Sequence, residues 1–223
     1  MSVEISNPVA VDRALGKHIG NCPWQSRLAG LQEFNTRSTE QKIYYGENGD
    51  PEAFLEHLAG SVPDSVQLPL VSFFRGLDFS IDSEETGSSR FSLSNTEDTR
   101  HYDIDYTNYC FTYHVSVIGH GSASLHEVAM PLHHYLASNP VLNVPYRLFH
   151  DKMANRAVKF NMPATIKNPW HIEFKDITPK KDNITQVYAI SAALEVKVPM
   201  IWMEQVTPIV EDIVFMPMIV RKA

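Results

Sequence analysis

Tyr109-Cys110-Phe111-Thr112-Tyr113-His114-Val115-Ser116-Val117-Ile118 is the stretch on which the fold turns. Tyr109, Phe111, Tyr113, Val115 and Val117 fall on one side of an extended chain; Cys110, Thr112, His114 and Ser116 fall on the other. Side chains of a strand alternate with a period of two, so the stretch predicts a half-buried β-strand. Gly119 and Gly121 end it.

A helix is predicted next. Ser124 and Glu127 have the spacing of a capping box, in which each side chain satisfies a backbone N–H of the first turn. Leu125, Val128, Ala129, Leu132, Tyr135 and Leu136 then line one helical face. Pro131 removes a hydrogen bond inside it and predicts a kink, and Asn139-Pro140 closes the element.

Upstream, Val71, Phe73, Arg75, Leu77, Phe79 and Ile81 alternate as a second strand, with Arg75 the one polar member. Residues 82–100 are rich in Ser, Thr, Glu and Gly and read as a long exposed loop or mobile hairpin, a lid in an enzyme or a contact arm in an assembly. Asp50, Pro51 and Glu52 open a short helix over 50–60 with Phe54, Leu55, Leu58 and Ala59 on its apolar face. Residues 1–49 are poorly periodic and read as a partly irregular arm, either a loose tail or a segment laid over a neighbour. Trp24, Leu28, Leu31 and Phe34 have the spacing of one short helix within it.

Downstream, after a loop containing Pro and Asn, three strands are predicted. Val158, Phe160 and Met162 alternate in the first, and Trp170, Ile172 and Phe174 in the second. The third runs from Tyr188 through Ile190, Ala192, Leu194 and Val196 to Val198, with Pro199 ending it. A polar hairpin link at 178–183 joins the last two. Residues 213–220 are apolar but hold Pro217, which confines them to an edge strand or a tail. The predicted fold is α+β, a mainly antiparallel sheet of long amphipathic strands with packing helices. It comprises an N-terminal arm (1–49), a core (50–205) and a C-terminal tail or edge strand (206–223).

The 223 residues suffice to bury a core without disulfide or metal. A net charge of −7 disfavours coating nucleic acid, which takes Lys and Arg to neutralise phosphates. Cys22 and Cys110 form no Cys-x-x-Cys pair and read as free thiols of a reducing compartment, and no signal peptide or spanning helix is expected. The Asn183-Ile184-Thr185 sequon is therefore expected to carry no glycan.

The sequence offers little chemistry. His126 and His133 are about two helical turns apart, while His133 and His134 point about 100° apart, so neither pair makes the i, i+4 zinc arrangement. There is no G-x-S-x-G elbow, phosphate-binding loop or dinucleotide fingerprint. Cys110 and His114 share a strand face but stand about 13 Å apart, too far for a nucleophile–base couple. No catalytic, cofactor-binding or metal residue is expected.

Three stretches carry a resemblance. Leu68-Pro69-Leu70-Val71-Ser72-Phe73-Phe74-Arg75 gives a Pro-apolar-Ser-aromatic-aromatic-Arg opening. Phe111 to Val117 leads into the helix with Met130-Pro131-Leu132 and the Asn139-Pro140 stop. Ile172-Glu173-Phe174-Lys175-Asp176-Ile177 precedes the long strand and Trp202. In this order, over about two-thirds of the chain, they resemble the tail terminator and tail sheath stabiliser (neck) proteins of contractile-tailed bacteriophages.

The resemblance implies a non-enzymatic virion protein, assembled in the host cytoplasm. It would form a homohexameric ring at the head-proximal end of the tail, capping the tail tube and stabilising the last sheath ring. Its partners would be itself, the tube, the sheath and neck or connector proteins. DNA would slide through an acidic lumen without specific binding, and no membrane or cofactor is involved. The expected interface residues are Arg90 and Phe91 in the 82–100 loop, with Trp202, Ile213, Phe215 and Met218. Alternatives are another neck ring, such as a head-completion or connector protein, and a small hydrolase or ligand-binding protein with a polar site under that loop.

Overall fold

A computed structural model describes residues 4–5, 7–24, 29–46, 53, 55, 67–82, 89–94, 101–151, 156–179 and 187–203. Its elements, in chain order, are β1 (Glu4–Ile5), α1 (Val9–Gly20), α2 (Ala29–Thr36), α3 (Thr39–Lys42), β2 (Ile43–Gly46), β3 (Leu70–Ile81), β4 (Ser89–Ser94), β5 (His101–Gly119), α4 (Ser122–Ser138), β6 (Val141–Asp151), β7 (Arg156–Ile166), β8 (Lys175–Asp176) and β9 (Tyr188–Met203). The chain is α+β, with helices on a large, mixed, curled sheet.

The sheet runs β2-β3-β5-β9-β7-β6, with β4 on β5 and with β1 and β8 on β9. β5 and β9 form the central antiparallel pair, in register from Asp105 opposite Trp202 to Gly119 opposite Tyr188. β3 lies antiparallel on the other flank of β5, and β2 is parallel to β3. The predicted 109–118 strand is thus the C-terminal half of a longer one. Its alternation places Tyr113, Val115 and Val117 fully inside, on the face covered by α1 and α4.

That face is the core. Val11, Leu15 and Ile19 of α1 and Val128, Leu132 and Leu136 of α4 meet Leu194 and Val196 of β9 and Leu142, Val144 and Tyr146 of β6. Four-residue spacing puts each helical trio on one stripe, and burying a stripe is what holds a helix of this length in place. The Trp24 indole donates to the Val128 carbonyl at 3.2 Å, tying the N-terminal segment to α4. Two glycines permit close approach. A Cβ at Gly16 would stand 2.9 Å from the Phe73 ring, and one at Gly46 would overlap the Phe74 ring.

Where described, residues 1–49 supply α1 and α2, which put side chains into the core, the strands β1 and β2, which pair with β9 and β3, and the short helix α3. The apolar pattern of α1 is broken by Asp12, a buried carboxylate in the middle of its inner face. Of the short helix expected through Trp24, Leu28, Leu31 and Phe34, Leu31 and Phe34 lie in α2 and are buried, Trp24 lies before it in no helix, and Leu28 is outside the described residues.

The region read as a Pro- and Asn-containing loop after the helix is instead β6, antiparallel to β7. Leu142, Val144 and Tyr146 are buried while Val141, Asn143 and Pro145 are exposed. Proline is compatible with it because β6 lies at the end of the strand order. His150 and Asp151 belong to this strand.

Trp170 to Phe174 form no strand. Asn168 takes a left-handed conformation (φ 46°), Pro169 opens a 3-10 turn through His171, and only Lys175 and Asp176 then pair with β9. Pro199 does not end β9. It stands opposite Asn108, whose carbonyl accepts from the Asp82 N–H on the β3 flank, so this rung makes no β5–β9 hydrogen bond and the missing N–H costs that ladder nothing.

Helix α4 begins at Ser122, earlier than the predicted box. Ser124 Oγ donates to the Gly121 carbonyl at 2.8 Å within the first turn. Asn139 closes it as expected, its N–H bonded to the Tyr135 carbonyl at 2.9 Å. Of the predicted 50–60 helix, Ala53 and Leu55 are helical and Leu55 is buried; the rest lies outside the described residues.

Candidate functional site

The inner and outer halves of β3 have different surroundings. Residues Val71 to Phe74 are buried, with β5 on one flank and β2 on the other. Beyond Arg75 the register with β5 shifts, and β2 no longer accompanies the strand. Leu77 is 93% exposed, Phe79 65% and Ile81 56%. Phe79 keeps company with Tyr109 and Phe111 of β5, ring centres 5.9 and 6.3 Å away. The sequence alternation continues through Ile81, but among the described residues the helical layer does not cover it. Three large apolar side chains thus stand in water on a strand that, among the described residues, has a neighbour on one flank only. Such an edge is a template for another chain.

Three of the expected interface residues have described backbone. Arg90 and Phe91 lie in β4, opposite Asp105 and Ile104 of β5, so 82–100 includes a paired hairpin strand. Trp202 lies near the end of β9, opposite Asp105 on one side and Ile5 of β1 on the other. Arg90, Asp105 and Trp202 therefore share one rung across three strands. Ile213, Phe215 and Met218 lie outside the described residues.

Two buried carboxylates, Asp12 and Asp82, form polar clusters that no local pattern announces. Asp12 accepts from the Tyr113 hydroxyl on Oδ1 and the Tyr45 hydroxyl on Oδ2, both at 2.7 Å, and faces Arg75 Nη1 at 3.2 Å. Burial, and then the Asp12 charge, push the Tyr113 phenol well above its ordinary pKa. Asp82 pairs with Lys197 at 2.8 Å and Lys167 at 3.5 Å. Both clusters join distant segments through a buried carboxylate and partly exposed cations.

Cys110 lies beside the second cluster, with Lys167 Nζ 3.9 Å from its sulfur. Burial nevertheless raises the thiol pKa and outweighs the lysine, so this is no activated nucleophile. Cys22 is pushed up to about 12 by burial alone.

A groove of ≈ 440 Å³ opens on the polar face of the sheet, lined by His114, His171, Glu173, Lys175, Ile177 and Ser191 among others. Ser191 is spent inside the sheet, accepting from Ser116 Oγ at 2.9 Å, and Glu173 and Lys175 face each other at 4.0 Å in the open. Neither arrangement builds a nucleophile with a base. Among the described residues no group of three or more His, Cys, Asp or Glu is placed to hold a metal. His126 binds the Ser122 carbonyl of its own helix at 2.7 Å, and His134 lies edge-on to Trp170.

The outstanding surface is therefore the outer half of β3. Leu77, Phe79 and Ile81 were legible as strand residues, but their exposure was not, since it depends on where the covering helices stop. No protein-family model matches the chain, and no curated protein does either.

Proposed function

We propose that this chain is a structural subunit of a self-assembled ring, at the head-proximal end of a contractile phage tail. There it caps the tail tube and stabilises the last sheath ring. The ring reading is carried by the exposed apolar edge at Leu77, Phe79 and Ile81. A closed ring needs a heterologous contact, in which one patch of a subunit meets an unlike patch of the next. An open apolar edge on one side of the molecule and an apolar Pro-bearing segment at 213–220 supply two such patches. The assignment to the phage neck rests on the similarity of the 68–75, 111–140 and 172–202 stretches to that family. In this reading Arg90, Phe91, Trp202, Ile213, Phe215 and Met218 face neighbours, and the tube, sheath and connector proteins are the further partners.

Negative-stain electron micrographs of the purified full chain test it. The expected particle is an annulus with an open centre and sixfold projections. Fields of small, solid, single-chain particles would refute the ring.

A further inference from the structure

We infer that the ribbon of β6 and β7 is a basic docking surface for a second copy of this chain, which occupies it with its acidic segment 83–105. The inference rests on the ring reading and names the charges that join one subunit to the next. The chain carries a net charge of −7, yet residues 147–159 hold Arg147, Lys152, Arg156 and Lys159 against Asp151 alone, a net +3. Residues 83–105 hold Glu84, Glu85, Glu97, Asp98, Asp103 and Asp105 against Arg90 and Arg100, a net −4.

The register of the ribbon sharpens the basic half. Arg147 stands directly opposite Lys159, and the next pair on the same face, Pro145 and Asn161, carries no charge. Like charges directly opposed across two strands destabilise the pairing. An anionic partner laid over both relieves the repulsion. Leu142, Val144, Met162 and Ala164 are buried, while Asn143, Pro145, Asn161 and Pro163 are exposed. Alternation therefore places Arg147 and Lys159 on the face turned away from the core.

The two segments suit neighbouring copies better than one chain. Both run toward the same end of the sheet. β5 begins at His101, beyond the rung of Asp105 and Trp202, and β7 begins at Arg156, far beyond the rung of Ile166 and Val196 on that side. They lie on opposite flanks of the β5–β9 pair, since β4 joins β5 and β7 joins β9. They also lie on opposite faces. The β5–β9 register is unbroken from Gly119 to Asp105, so Asp105, and Asp103 two positions on, share the helix-side face of Tyr113. Buried Ile166 opposite buried Val196 carries the same face assignment across to β7. Within one chain, Asp103 and Arg147 thus belong to opposite sides of a sheet. Between two copies they meet when the ribbon of one laps over the β4–β5 hairpin of the next. Copies related by rotation bring matching ends to one height, so a shared end and opposite flanks are what a closed ring requires.

The test is charge reversal on the full chain, read by light scattering at low salt. Arg147→Glu/Lys152→Glu/Lys159→Glu turns 147–159 from +3 to −3, and Glu97→Lys/Asp98→Lys/Asp103→Lys turns 83–105 from −4 to +2. Each triple variant alone should self-associate at least tenfold more weakly than the native chain. Their equimolar mixture should recover the native mass, because each then meets an opposite charge on the other. Slow amide exchange at Val115 and Leu194, in the sheet centre, shows that the variants fold. Variants that keep the native mass would overturn the inference and leave the ring standing. So would a mixture that stays dissociated, since charges paired within one chain are not repaired by a second. Labelled duplex DNA that binds the native chain but not the first variant, with the mass of both unchanged, would make the ribbon a phosphate-binding surface and overturn the inference too. A native chain of one subunit mass would overturn both the inference and the ring.

Discussion

The Tyr113 hydroxyl donates a 2.7 Å hydrogen bond to Oδ1 of Asp12, joining the first helix to the central strand across 101 positions of chain. Tyr113 is fully buried and Asp12 is 3% exposed, so the bond lies inside the core. Tyr113→Phe removes one of the donors of a buried carboxylate and should cost about 1–3 kcal/mol. Asp12→Ala should cost more, about 3–5 kcal/mol, because it leaves the Tyr113 and Tyr45 hydroxyls and the Arg75 charge without their common partner. Urea unfolding of the two variants measures both, and Asp12→Ala should be the less stable of the pair.

Leu132 is fully buried in the stripe of α4 that faces β5 and β9. Leu132→Ala should lower stability by about 2–5 kcal/mol through the cavity it leaves. Thermal melts within a degree of native would mean that α4 does not face the sheet as described.

At Gly46 there is no room for a side chain, because the Phe74 ring occupies the place of a Cβ. Gly46→Ala should therefore cost about 1–3 kcal/mol by overpacking. The double variant Gly46→Ala, Phe74→Leu should be less destabilised than the sum of its two single variants, a coupling that a thermodynamic cycle reads directly.

His18 sits against the Tyr135 ring at 4.9 Å, with Nε2 buried and unpaired. Burial lowers its pKa below 6.5, and a backbone bond with Asn139 offsets this in part. The unfolded chain then takes up the proton first. The stability contributed by neutral His18 is complete above pH 6.5 and is lost as pH falls below it. Native protein should lose more stability between pH 7 and pH 5.5 than His18→Gln does. Parallel pH profiles for the two would contradict this placement of the ring.

The strands and the helix that the sequence made legible share one property, an unbroken period. Alternation at 109–118 and 188–198 and the stripe from Leu125 to Leu136 all report a face buried along its whole length. Where the reading failed, a tertiary contact had replaced an apolar residue or a proline sat at an edge. Asp12 interrupts α1 because its partners Tyr45, Arg75 and Tyr113 come from the sheet, and no local pattern announces them. Pro145 hid β6 although Leu142, Val144 and Tyr146 alternate through it. At Trp170 and Ile172 the period was real but too short to outweigh the turn that Asn168 and Pro169 impose. The candidate surface was half legible. Leu77, Phe79 and Ile81 follow the strand period, but only the fold shows that they are exposed and that, among the described residues, neither a helix nor β2 covers them.

Mass in solution tests the central claim most directly. Light scattering of the full chain at micromolar concentration should give six times the 25.3 kDa subunit mass, unchanged over a tenfold dilution. A stable species of one subunit mass across that range would contradict the account.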